Sequence, residues 1–111
     1  MLIVHANQYE FEYPDSEESL SLATAGKHEF KSVSEFLLAC PDASRESLDN
    51  LSAVAFGTLN RASIAGHLAK YYRREIPQTA SVFFFVDEWN SVEFVVVFQS
   101  SYLWYSWDTT A

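Results

Sequence analysis

The stretch that decides the fold is Ser81–Asp108, "SVFFFVDEWNSVEFVVVFQSSYLWYSWD". Ten of the chain's eighteen aromatic residues lie in it, and no Lys or Arg. Its apolar residues recur with a period of two, as they do along β-strands. Residues 81–86 predict one strand, with "DEWN" as the turn after it. Residues 91–99 predict a second strand, and Ser100-Ser101 turns the chain into a third over 102–107. Val92, Phe94, Val96 and Phe98 face one way, Val95 and Val97 the other. The middle strand is therefore apolar on both sides, as a central strand must be.

Upstream, the period changes. Ser32 followed by Glu35 has the form of a capping box, and Val33, Phe36, Leu37 and Cys40 make one apolar stripe. Pro41 stops this helix. Asp42 or Ser44 caps an expected second helix with Leu48, Leu51, Val54 and Ala55 inward and Gly57 at its end. Thr58 or Asn60 opens an expected third, with Ile64, Leu68, Tyr71 and Tyr72 inward. Lys70, Arg73 and Arg74 suit the negative end of its dipole.

The N-terminus reads as strand. "MLIVHA" is apolar and β-branched, and "QYEFEY" puts Tyr9, Phe11 and Tyr13 on one face against Glu10 and Glu12 on the other. The phase changes between the two runs, which predicts a bulge or turn near Asn7. Pro14-Asp15 ends the strand, and "SLSLAT" adds a short one with Leu20 and Leu22 pointing the same way. The expected class is α+β: an N-terminal strand or hairpin, about three helices in the middle, and a C-terminal three-stranded antiparallel meander. One globular domain over residues 1–111 is expected.

Composition narrows the function. Fifteen acids against seven bases give a formal charge of −8, which disfavours direct nucleic-acid binding and suits a basic partner. One cysteine, Cys40, leaves no internal disulfide and no multi-Cys zinc site. Cys40 also completes the helix stripe, so it reads as a core residue. His5, His28 and His67 share no ligand spacing with one another. No phosphate-cradling loop or nucleophile elbow occurs, and the chain has three glycines. No catalytic residue, metal or cofactor is expected. The N-terminus lacks the basic and apolar regions of a signal peptide, and no apolar run is long enough to span a membrane. A cytoplasmic location is expected.

Two features point to a protein partner. Glu10, Glu12, Asp15, Glu17 and Glu18 precede the first cation, Lys27; they fit a solvated face or a docking surface for Lys and Arg. In the aromatic stretch, Asp87, Glu88 and Trp89 project at the hairpin turn. Phe83, Phe85, Tyr102, Trp104, Tyr105 and Trp107 occupy both faces of the sheet, more ring surface than three helices on one face are expected to cover; either some rings stay exposed, or the N-terminal strand and loops, or a strongly curled sheet, complete the burial. Tyr102, Trp104 and Tyr105 join Trp89 as expected interface anchors.

Through "QYEFEYPDSEE", "DEWN" and "YLWYSWD" the whole chain resembles, at the level of a class, the small acidic immunity proteins of bacterial polymorphic and contact-dependent inhibition toxin systems. The resemblance implies a cytoplasmic inhibitor that covers the active site of a cognate basic toxin, a nuclease, with acidic and aromatic residues. The antiparallel ending departs from the acidic helix and parallel sheet of the barstar family. Three other readings stand beside it. One is a phage-encoded nucleic-acid mimic, such as an anti-CRISPR protein. Another is a small enzyme or ligand-binding domain whose cavity is lined by Tyr102, Trp104, Phe94 and His67. The last is a homodimer that buries the sheet.

Overall fold

The structure, a computed structural model, describes residues 1–7, 18–40, 42–44, 48–55, 77 and 79–109. The strands are β1 (Leu2–Asn7), β2 (Glu18–Gly26), β3 (Val54–Ala55), β4 (Ser81–Glu88), β5 (Ser91–Val97) and β6 (Ser101–Thr109). They form a six-stranded sheet in the order β1-β2-β6-β5-β4-β3, antiparallel at every junction. One helix, α1 (Val33–Ala39), and a 3₁₀ turn, Leu48–Asn50, complete the described regular structure.

This corrects the expected architecture. Among the described residues there is one short α-helix rather than about three, and the C-terminal meander is part of a wider sheet. The stretch expected as a second helix makes a 3₁₀ turn and then pairs Val54 with Val82 and Ala55 with Ser81. Asn50 and Ser52 are weak helix formers, and β-branched Val54 gains a ladder partner at the edge of β4. The expected third helix, with its apolar stripe and its cations, lies outside the described residues, as do "QYEFEY" and Gly57.

The meander itself is present. β5 lies between β4 and β6, with Val95 opposite both Phe83 and Trp104, and Phe94 opposite both Phe84 and Tyr105. The expected short strand at "SLSLAT" is nine residues long and joins the N-terminal hairpin to β6. Leu22 therefore faces Tyr105, and Ala23 faces Trp104.

Alternation sorts the side chains into two cores. One holds Leu20, Leu22, Val82, Val92, Phe94, Val96, Leu103, Tyr105 and Trp107. There Phe94 lies 5.0 Å from Tyr105 and 5.5 Å from Phe84, ring centroid to centroid. The other holds Ala23, Ala25, Val95, Tyr102 and Trp104, with Phe36, Leu37 and Cys40 of the α1 segment packed on them. The small side chains of Ala23 and Ala25 leave height above β2 for these larger groups. Phe36 stacks on Tyr102 at 5.4 Å.

The helix is where its stripe predicts. Ser32 caps it by accepting the Glu35 N–H at 3.2 Å. The Glu35 carboxylate reaches back to the Lys31 N–H at 2.9 Å, one residue before the cap. Seven residues are too few for a helix to persist alone, so burial of Phe36 and Leu37 holds it. Cys40 ends it, fully buried, as its place in the stripe predicts.

Candidate acidic end of the sheet

The β4–β5 hairpin owes its shape to a bulge. Phe84 pairs with Phe94, but Val86 pairs with Glu93, so Phe85 is the extra residue. Beyond it, Asp87 faces Val92 and Glu88 faces Ser91, leaving Trp89 and Asn90 as a two-residue turn. A regular register would instead leave three residues in the loop. Asp87 and Glu88 are thus strand residues on opposite faces of the sheet, and both are exposed. Trp89 is 79% exposed, whereas Trp104 and Trp107 are 1% and 9% exposed.

The turn is anchored from the side, because the Asn90 carbonyl accepts the Thr109 N–H at 2.9 Å. The cross-strand row through Glu88 and Ser91 continues to Asp108, Ser19 and Asn7. Exposed Asp108 accepts the Ser19 hydroxyl at 2.8 Å. The chain therefore leaves β1 at Asn7 and enters β2 at Glu18 beside the Trp89 hairpin. Four expected site residues, Glu10, Glu12, Asp15 and Glu17, belong to this connection and lie outside the described residues. Glu18 is described only through its backbone, opposite Thr109. The described lysines, Lys27 and Lys31, follow the far end of β2. That end is about 27 Å away along a nine-residue strand. There Lys27 lies over the Tyr102 ring, 5.7 Å from its centroid.

Tyr102, Trp104 and Tyr105 are elsewhere. They are 5%, 1% and 1% exposed, packed within the single chain, and present no ring surface to another molecule in this conformation. Phe94 lies in the core opposite that of Tyr102 and Trp104. These three cannot line one cavity, and His67 is outside the described residues. His28 is exposed and touches the space above Gly26, where an added Cβ would come within 2.5 Å of its ring.

One polar feature was missed by inspection of the sequence. Glu93 is 8% exposed. Its Oε2 accepts the Ser44 N–H at 2.7 Å and the Trp104 Nε1–H at 2.9 Å; its Oε1 accepts the Ser44 hydroxyl at 2.9 Å. Buried polar groups are tolerated when satisfied in this way, and the network ties the segment after α1 to the sheet. The only sequence signal is a lone acid in an apolar central strand.

Among the described residues no group of His, Cys, Asp and Glu has the geometry to hold a metal ion. No described helix is long and apolar enough to cross a membrane. No protein-family model, curated protein or solved structure matches the chain.

Proposed function

We propose that this chain is a protein-binding inhibitor that acts in the cytoplasm by covering the cationic active site of a basic partner. The partner class is a toxin domain, foremost a nuclease, and the role is that of a small immunity protein. The carrying observation is the Trp89 hairpin. An indole 79% exposed at a laterally anchored turn, beside exposed Asp87 and Glu88, is costly to keep in water and suits a partner. Exposed Asp87, Glu88 and Asp108 share this end of the sheet, and their charge steers a positively charged surface toward it.

A cleft that binds phosphate through Lys and Arg is complementary to such an end. Occupying it excludes the nucleic-acid substrate without any catalysis by the inhibitor. The test is affinity capture from the native host with mass spectrometry, followed by assay of the captured protein's activity. The expected result is a tight one-to-one complex with a basic enzyme whose activity falls on binding. A partner that stays fully active in the stoichiometric complex overturns the proposal.

A further inference from the structure

We infer that β1 is a dimerisation edge: it adds antiparallel to β1 of a second copy of this chain, about a two-fold axis normal to the sheet, with Ile3 of each copy beside that axis. The inference goes beyond the basic-partner reading and does not depend on it.

The two edges of the sheet differ. On one side β3 is two residues long, and β4 beyond it carries the bulge at Phe85 and the charges of Asp87 and Glu88. Short strands, bulges and charges all guard an edge against strand addition. On the other side β1 is six residues long and pairs with β2 through Leu2–Asn7 without a register shift. No described strand lies on its outer side. Its sequence, LIVHAN, holds no Asp, Glu, Lys, Arg or Pro, so this edge has none of those guards. Ile3 pairs with Ala23, which places it on the α1 side of the sheet, and there it is 39% exposed. A two-fold axis normal to the sheet keeps that face common to both copies and brings the two Ile3 side chains within cross-strand or diagonal reach. A second copy is the occupant because the same edge satisfies itself, and such an isologous contact closes. Charge favours the antiparallel sense. At the Leu2 end, Lys27 and Lys31 follow β2 and offset Glu29 and Glu35; at the Asn7 end, Glu18 and Asp108 have no described cation beside them. Antiparallel pairing sets each acidic end beside the partner's lysine-bearing end. The Trp89 hairpin ends β5, three strands from β1, and stays open to another partner.

The experiment is sedimentation velocity of the full chain from about 1 μM to about 1 mM, with amide hydrogen exchange measured at both ends of that range. The wild type is expected to pass from monomer to dimer, and β1 amides to gain protection in the dimer while those of β5 stay unchanged. I3K puts a charge on the pairing edge and should weaken the dimer about tenfold or more; I3V should keep it. An I3K melting temperature close to that of the wild type at low concentration shows that the variant is folded, and the exchange pattern of the wild type decides the matter where it is not. A chain that stays monomeric at about 1 mM overturns the inference. So does a dimer that forms with no gain of protection in β1, or one that folded I3K leaves equally tight. Addition of another protein's strand to β1 of a monomeric chain overturns the choice of occupant.

Discussion

Glu93 of β5 accepts the indole N–H of Trp104 of β6 at 2.9 Å, a diagonal contact across the ladder in which Trp104 itself faces Val95. The same oxygen takes the Ser44 N–H, while the other oxygen meets a hydroxyl, which can donate or accept. The site thus needs two fixed acceptor positions on Oε2, but not a negative charge on Oε1.

That asymmetry sets an expectation for substitution. In E93Q the amide oxygen can replace Oε2 and the NH₂ can donate to the Ser44 hydroxyl. The cost is about 1 kcal/mol, from weaker hydrogen bonds. E93A leaves buried donors unpaired and costs about 3 kcal/mol. Urea denaturation of both variants checks this, and equal losses would show that charge rather than hydrogen bonding matters.

The α1 cap gives a second expectation. Ser32 satisfies the Glu35 N–H, and a helix of seven residues has few other resources. S32A should lower stability by about 1 kcal/mol and speed amide exchange at Glu35. Unchanged exchange there would show that packing of Phe36 alone fixes the turn.

Glu29 makes the acid limb of the stability profile predictable. The N-terminal ammonium hydrogen-bonds its Oε1 and the Gly26 N–H its Oε2, and these lower its pKa below the usual 4.5. A carboxylate with a lowered folded pKa stabilises the fold above its unfolded pKa and loses that contribution as pH falls through the folded one. The stability gap between wild type and E29Q should therefore be at its full size in mildly acidic solution, above the unfolded pKa of the carboxyl. It should shrink below pH 4.5 and vanish in stronger acid. A gap of unchanged size there would show that the charge on Glu29 contributes nothing.

Fluorescence quenching tests the acidic end without a partner. Trp89 is the exposed indole of the three, so W89F should remove most of the acrylamide-accessible emission. Because exposed Asp87 and Glu88 precede Trp89 in the hairpin, caesium should quench it more, and iodide less, than each quenches a neutral tryptophan derivative at low salt, with the difference fading as salt rises. The same iodide-to-caesium ratio as for the neutral derivative would mean that the local potential is not negative.

Single segments were legible in the chain, but the architecture was not. The period-two stretch over β4–β6 gave three strands in the right order, and Ser32, Glu35, Phe36, Leu37 and Cys40 placed α1. The rest depended on long-range pairing. β2 was undersized because Ala23, Thr24, Ala25 and Gly26 lack the bulk that marks a strand. Their smallness is what lets Trp104 and Phe36 pack above them. For the rings of Tyr102, Trp104 and Tyr105 the sequence leaves two outcomes open, exposure as a patch or burial under the N-terminal strand and loops, and they are buried. Strand β2 beside β6 makes β6 a central strand, and Phe36, Leu37 and Cys40 cover Tyr102 and Trp104 on one of its faces. For the same reason the acids before Lys27 and those at Asp87–Glu88 looked unrelated. The pairing of Ser19 with Asp108, and of Asp108 with Ser91, brings the start of β2 beside the Asp87–Glu88 hairpin.

The most direct measurement is the association rate of the chain with its captured partner across a range of salt. It compares wild type with D87K/E88K and with E10K/E12K. Steering by this end of the sheet predicts a wild-type rate that falls as salt rises. Each double reversal should slow association roughly tenfold at low salt, with the curves converging at high salt. Association rates that neither reversal changes would contradict it.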